Sequence, residues 1–591
     1  MDEEISKESY EYQINGSIRK IHKVKDLMKS ILFGILILTV LCCHGQQSVY
    51  YNARIFTGDR LKPYAEAIAI NGKWILAVGN YEDVIKKVNP SAERINMNGG
   101  FIMPGIIDTH NHGISGGKSL VKANTNDESW DVAQLVTYAK KCLENSEGLT
   151  GDVLVIYGIN ITLWDHLYEI MDLLNKGVFE SQPIVLRGSD GHTSWSNNAM
   201  LHKSGVTKEY IASLKSPERQ YFGTGNNGEP NGFISESGYQ KIKSALVVET
   251  QFGQAAEKAM EYNNQFGITA WLDPSVNSFN GSYVNNLDWY RYLINKGKLT
   301  AHIAGTVVAD PNGDPQAQIS KLKALQKEYN APDFSIIGFK VFADGVVEHP
   351  THTAALSLPY SGTTSYGDLL IDPEKFADFA IQADKASLLV HVHAIGDRAV
   401  TETLNGFEAV RKANKNKTIP HTITHLQIVK LSDFTRFVRL NVLTSFQLLW
   451  ALGDPTTIDI VKPYIDPTLF RWQYPVRSML QAGATITGAS DWPVTTANPF
   501  KAIYRAETRK GPLGVLDSTQ CMPRMEMLFA YTSEAAKALR LEKKIGSLQA
   551  GKMADMILLD RDVLTVIPEE MRDTKVIWTM FEGNKVYDTG K

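Results

Sequence analysis

Short runs in which apolar and polar positions alternate occupy both ends of the chain, and longer apolar runs fill the middle. Near the start, SVYYNARIFTGD and YAEAIAINGKWILAVGN are rich in β-branched and aromatic residues, with turn residues such as Asn71-Gly72 between them. Near the end, GSLQAGKMADMILLD and TKVIWTMFEGNKVYDTG repeat that pattern. These ends predict one small antiparallel β domain assembled from residues 46–103 and 541–591. Between them, over residues 104–540, strand-like apolar runs alternate with helical patterns, as in βαβ units around a parallel sheet. Eight runs qualify as buried strands: FIMPGIIDTHNH, GITAWLDPS, LTAHIAGTVVAD, FSIIGFKVFADG, SLLVHVHAIGD, HTITHLQIV, NVLTSFQLLW and ATITGASDWPV. Eight is the strand number of a (β/α)8 barrel. FGQAAEKAMEYNNQFG is typical of the intervening helices, with apolar residues at Phe252, Ala255, Ala256, Ala259 and Phe266.

The first and second runs are separated by about 150 residues, too many for a structureless loop in a compact domain. The strand-like pieces VLVIYGIN and PIVLRGSDGH inside that gap predict an inserted subdomain or lid over roughly residues 116–250. There is no internal repeat and no low-complexity tract.

From Met28 the chain reads MKSILFGILILTVLCCHGQQ: one lysine, a short apolar core, then small residues. That is the layout of a secretory signal peptide over residues 28–45, too short to span a membrane, preceded by a polar extension at residues 1–27. Cleavage after Gly45 is expected, or a lipid anchor on Cys43, although the cysteine before Cys43 fits a lipoprotein signal poorly. The charged start and polar stop argue against a buried helix. The expectation is export, with membrane contact only through the leader or such an anchor.

At 591 residues the chain exceeds one small core, and its formal net charge of −3 with no sustained basic run argues against a nucleic-acid partner. Two of its four cysteines fall in the leader and the others, Cys142 and Cys521, lie far apart. Neither a disulfide framework nor a CxxC knuckle is present, so a metal site would have to use His, Asp, Glu or Lys.

The first apolar run closes on PGIIDTHNHG. In an extended segment alternate residues share a face, so His110 and His112 would point the same way and grip one cation; a polar loop with two histidines is the plain alternative. Barrel chemistry collects at the carboxyl ends of the strands. Read in order, those ends supply His110 and His112, Lys340, His393, His425 and Asp491. Any one of these is accounted for as a polar tip hydrogen-bonded near a loop. Together, at the ends of five different strands, they make a metal constellation.

Lys340 sits among Ile336, Ile337, Phe339, Val341 and Phe342, where a charged lysine is costly. A neutral amine can take up carbon dioxide as a carbamate, an oxygen ligand able to bridge two cations; the alternative is a lysine reaching out to a carboxylate such as Asp344. His391 and His393 share a strand face, as do His421 and His425, and periodicity does not choose within either pair. Barrel geometry favours the members nearer the strand ends, His393 and His425, with His391 deeper as a packing or orienting residue. Asp491, in GASDWPV, suits a ligand that also shuttles a proton, or else caps the following turn.

From about Val49 to the C-terminus these segments resemble the amidohydrolase superfamily, specifically its family 3 branch of N-substituted formamide deformylase-like enzymes. The resemblance rests on PGIIDTHNH, RGSDGHTSWSNNA, GFISESG, KVFADGVVEHPTHTAALSLPY, HAIGDRAV, THLQ, GASDWPV and GSLQAGKMADMILLD, in that order. It implies a metal-dependent hydrolase fold, an α/β TIM-like barrel with an insertion after strand 1 and a small composite β-sandwich from both termini. It implies hydrolysis of amide or other C–N bonds, with His110, His112, Lys340, His393, His425 and Asp491 in the metal roles. It also implies that Asp190, His192, Trp195 and Asn197 line the substrate pocket, although the same turn-rich run would equally serve to fold the subdomain. The IPHTIT segment before His425 departs from relatives, which tend to carry an arginine and a glutamate beside the ligand histidine.

The expected protein is therefore an exported amidohydrolase acting on a small-molecule amide. A hydroxide on one or two divalent cations attacks the carbonyl carbon, and Asp491 relays the proton to the leaving amine. Mixed His, carboxylate and carbamate ligation suits zinc best, and iron, manganese or nickel fit the same donors. Without a carboxylated Lys340, one cation on His110, His112 and Asp491 would serve. The same apparatus would cleave an ester, lactone or cyclic amide. A catalytically silent binding protein of this fold would be expected to have lost some of the six donors, and all six are present. Assembly into a homo-oligomer is left open.

Overall fold

The computed structural model describes residues 47–590, apart from 121–122, 146, 247–251, 281–284 and 416–417. The expected leader at residues 28–45 lies outside the described residues. Among the described residues no helix is long and apolar enough to cross a membrane.

Eight parallel strands form the central sheet: β1 (Ile106–Asp108), β2 (Ile268–Ser278), β3 (His302–Val308), β4 (Phe334–Phe342), β5 (Leu389–Ala394), β6 (Thr422–His425), β7 (Leu443–Phe446) and β8 (Ile486–Gly488). Each lies beside its neighbour in sequence, and each falls inside one of the eight apolar runs except β2, which starts within GITAWLDPS and continues to Ser278. The ladder ends at β1 and β8, where the ring is drawn together by Thr109 N–H to Gly488 O (3.1 Å) and Asp491 N–H to His110 O (2.8 Å). The fold is the TIM-like barrel expected. Several outer helices start from one local device, an Asp or Asn cap followed by proline. Asp314, Asp372 and Asn498 each accept two backbone N–H groups at the starts of Pro315–Tyr329, Pro373–Lys385 and Pro499–Thr508. Proline at the first helical position loses no hydrogen bond, and its fixed φ favours the turn.

Two features differ from the alternation pattern. FIMPGIIDTHNH is two strands: Phe101–Pro104 belongs to an outer sheet, and the barrel strand begins after Gly105. A Cβ on Gly105 would lie 2.1 Å from Thr269 Oγ1, so only glycine allows the chain to pass there from one sheet to the other. The outer sheets are also mixed and not purely antiparallel. In the four-stranded sheet Gln47–Tyr51 runs parallel to Glu93–Asn96, and in the six-stranded one Arg54–Phe56 runs parallel to Phe101–Pro104. The six-stranded sheet combines both ends of the chain, with Phe101–Pro104 antiparallel to Met556–Leu559. Ile55, Ile68, Ile70, Ile75, Ile102, Met556, Trp578 and Met580 pack between the two sheets as a separate core.

The insertion between β1 and β2 has its own six-stranded sheet, built from Leu149–Thr150, Val153–Ile159, Ile184–Gly188, Thr193–Ser196, Pro230–Ser235 and Phe222–Thr224. Two apolar clusters flank it, one around Trp164, Phe179 and Trp195 and the other around Met200, Tyr221 and Phe222.

At the amino end of the barrel His302, the first residue of β3, joins the barrel to the composite sheet. Its Nδ1 meets Asp333 Oδ1 and its Nε2 meets Asp555 Oδ2, each at 2.8 Å. Burial alone would push this imidazole down, but the carboxylates of Asp555 and Asp333 outweigh it and raise it to about 9. With a folded pKa above the ordinary value near 6.5, the stabilisation is fully present below about pH 6.5 and lost as pH rises through 9. His302→Gln should therefore lower Tm most at pH 6.5, and the gap to the parent should close by about pH 9.5, as thermal unfolding across that range will test.

Candidate metal centre

The site lies at the carboxyl end of the barrel and depends first on Asp108, the last residue of β1. Its carboxylate accepts the His110 N–H (3.1 Å), the Ser490 N–H (3.0 Å) and the Ser490 hydroxyl (2.5 Å), and so fastens the end of β1 to the loop after β8. Burial pushes Asp108 up to about 6 despite those donors. This clasp brings together residues far apart in sequence: His110 Nε2 and His112 Nε2 lie 3.4 and 3.2 Å from Asp491 Oδ1. The two histidines converge for a reason other than strand alternation, because both lie beyond the end of β1. The turn set by Asp108, with His112 N–H on Trp492 O at 2.9 Å, aims them. Asp491 and His425 hold φ of +56° and +77°, left-handed values that non-glycine residues rarely keep unless their surroundings impose them.

Each imidazole of the site is held by one nitrogen. His110 Nδ1 meets His391 Nε2 at 2.7 Å, His112 Nδ1 meets Ser275 Oγ at 2.9 Å, and His425 Nδ1 meets Gln447 Oε1 at 3.1 Å. Gln447 is itself fixed by donating to Thr424 Oγ1 at 3.1 Å. His393 uses its other nitrogen, with Nε2 on Gly345 O at 2.9 Å, which leaves Nδ1 as its free donor atom. Burial, then the nearby Lys340 or neighbouring imidazoles, holds His110, His393 and His425 well below the ordinary histidine value, so their free nitrogens carry lone pairs. Asp491 Oδ1 is buried and has no hydrogen-bond partner. Neutral, pre-aimed nitrogens around an unsatisfied carboxylate oxygen are the donor set a divalent cation completes. The ligand atoms of His110, His425 and Asp491 lie within 4.8 Å of one another. His302, Asp333 and Glu582 also cluster, but both nitrogens of His302 are taken by Asp333 and Asp555.

The geometry separates the ambiguous pairs. His391 lies behind His110 as its hydrogen-bond partner. His421 is at the far end of β6, accepting the Val390 N–H and facing Asp384, and does not enter the site. Lys340 is buried on β4 with Nζ 4.9 Å from the centre of the Phe342 ring. Burial brings it down to about 7, against the opposing pull of Asp491. It does not reach Asp344, whose carboxylate is occupied by the backbone N–H groups of Ala355, Ile395 and Gly396.

A cavity of about 830 Å³ opens over these groups, roofed by the insertion. A smaller one, about 310 Å³, meets it at His192, His393, His425 and Asp491 and carries the apolar wall of Leu449, Trp450 and Tyr474. Asp190 and His192 line both cavities. The Asp190 carboxylate is engaged by the His192 and Thr193 N–H groups and the Thr193 hydroxyl, so it builds the loop that presents His192. Trp195 and Asn197 correct the expectation from the sequence, because neither reaches the cavity. Trp195 is fully buried in the insertion core and donates its indole N–H to Asn231 O (3.0 Å). Asn197 caps Asn198–Ser204 and donates to the carbonyls of Leu174, Phe179 and Gln182. Strand alternation explains this, since residues two apart from Thr193 face the insertion's own core. Conversely, the sequence reading missed Ser275, which lies within β2, and Gln447 and Glu236, each just past a strand end.

The arrangement defines a hydrolase class, and the comparisons identify it. Residues 93–587 match the model of the amidohydrolase family, and the chain belongs to that family. It is 26% identical to Protein LONG AFTER FAR-RED 3 of Arabidopsis thaliana, over 91% of each chain. It is 24% identical to the N-substituted formamide deformylase of Arthrobacter pascens, over 91% of this chain and 97% of that one. A solved structure, an uncharacterized metal-dependent hydrolase from Pyrococcus horikoshii, superposes with a TM-score of 0.67 at 22% identity, covering 88% of this chain and 99% of that one.

If Trp195 is a core residue, Trp195→Ala should cost about 3–5 kcal/mol of stability in the insertion. Limited proteolysis should then cut within residues 149–235 far faster than in the parent, while metal content stays unchanged.

Proposed function

We propose that this family member is an exported, metal-dependent hydrolase that cleaves a C–N bond of a small amide or formamide-like molecule. The observation that carries the reading is the buried, unsatisfied Asp491 Oδ1 facing the free nitrogens of His110 and His112. His110, His112, His425 and Asp491 would hold one ion, with His393 and a carboxylated Lys340 available for a second. Zinc suits the mixture of imidazole and carboxylate donors best. When bound, the ion lowers the pKa of a water to about 7 and polarises a carbonyl oxygen.

The chain supplies the remaining functions. Asp491 takes the proton from the attacking water and delivers it to the departing nitrogen, through the carboxylate oxygen turned away from His110 and His112. Gln447, Ser275 and His391 keep each imidazole in one orientation throughout. Lys340, brought down to about 7, has a substantial neutral fraction at neutral pH, and its amine can add to carbon dioxide with loss of one proton to give a carbamate. The likeness in sequence to an N-substituted formamide deformylase supports the choice of bond.

Elemental analysis of the parent and of Lys340→Ala, followed by zinc reloading and a substrate panel, tests this. Expected are about two metal equivalents in the parent and one or none in the variant, with turnover of N-acyl or formamide compounds. One equivalent in both makes Lys340 structural. Turnover of esters or lactones alone overturns the choice of bond.

A further inference from the structure

The insertion contributes a side-chain pair that the barrel motifs do not include. His192 immediately precedes Thr193–Ser196, and Glu236 immediately follows Pro230–Ser235. These strands are antiparallel neighbours with Thr193 opposite Ser235, so the two residues emerge side by side at one edge of the insertion sheet. The Glu236 N–H bonds His192 O at 2.9 Å, and His192 Nδ1 meets Glu236 Oε2 at 3.0 Å. The second oxygen, Oε1, accepts the Thr353 hydroxyl at 2.9 Å, from the loop that follows β4. His393 anchors the same loop through Gly345 O. A side chain on Gly345 would lie 2.1 Å from Thr353 Oγ1 and 2.7 Å from Glu236 Oε1, so the approach requires glycine. Glu236 also holds φ at +48°, a strained value for glutamate that this network maintains.

With Nδ1 engaged, Nε2 is the free polar atom of the His192 ring. The ring stands 5.5 Å, centre to centre, from that of His393, at the junction of the two cavities. Asp491 lines the same two cavities as His192.

We propose that His192 is a catalytic residue, its Nε2 contacting the substrate at the atoms flanking the scissile bond, and that Glu236 is the residue that positions it. The inference rests on the hydrolase reading above and deepens it: the reacting bond is held between Asp491 on the barrel and His192 on the insertion, so the insertion completes the site. The substrate it selects carries a hydrogen-bonding group directly beside the bond that breaks. A mere latch between insertion and barrel would need the Glu236–Thr353 contact but not a ring edge left free in the cavity.

The variants are His192→Gly, Glu236→Gln and the conservative Glu236→Asp, each measured for Tm, metal content, kcat and KM on the best amide of the panel. Affinity for acetohydroxamate is measured alongside. Expected in the metal-loaded protein is a loss of about 100-fold in kcat for His192→Gly, partly restored by added imidazole, and about 10-fold for Glu236→Gln, with Glu236→Asp in between. Acetohydroxamate should bind about 10-fold more weakly to His192→Gly. Unchanged kcat in folded, metal-loaded variants overturns the proposal, as do losses that simply follow Tm or metal content. If the parent turns over nothing in the panel, the functional reading has failed on its own account. Unchanged acetohydroxamate affinity in His192→Gly then overturns the dyad separately.

Discussion

Removal of water from a lysine, several imidazoles and one carboxylate at the mouth of the barrel governs the rest of this structure. In solvent these groups would be mutually indifferent. Buried together, the imidazoles shed their protons and Lys340 approaches neutrality, because a cluster of cations in low dielectric is more costly than a cluster of lone pairs. The cluster then has more acceptors than donors and one carboxylate oxygen with nothing to bind. The surrounding fold maintains this imbalance. Asp108 clasps β1 to the loop after β8, Gln447 and Ser275 each fix a ring, and two residues sit in backbone conformations they would not choose alone.

Much of this was legible in the sequence. The eight apolar runs mark the barrel because a parallel strand covered on both faces is mostly apolar, and the similar runs VLVIYGIN and PIVLRGSDGH fall together in the long gap after the first. His110, His112, Lys340, His393, His425 and Asp491 could be singled out because barrel topology places strand ends together whatever their separation in the chain. The order within the His391/His393 pair followed from depth along the strand, although depth did not reveal that His391 would pair with His110.

What was not legible has a common cause. Trp195 and Asn197 were assigned to the pocket, and Glu236 was overlooked, because their positions are set by the insertion's own sheet. A mixed sheet of short strands separated by turns leaves no periodic signal that tells its outer edge from its core. Gly105 is similar: the apolar pattern runs through it unbroken, and only its close approach to Thr269 shows that the chain changes sheets there. Steric exclusion of this kind is invisible to hydropathy.

That change of sheets bears on how the protein is made. Phe101–Pro104 connects to β1 through a single residue, and its antiparallel partner Met556–Leu559 belongs to the final stretch of the chain. During synthesis the strand leading into the loop of His110 and His112 must wait, with one edge open, until nearly the whole polypeptide has been translated. A nascent chain in that condition presents unpaired backbone and apolar side chains beside His110 and His112. Completion of the sheet and maturation of the centre are thus linked in time. A ribosome that stalls or terminates early would leave a polypeptide with all the side chains of the candidate metal centre and no stable support beneath the first two.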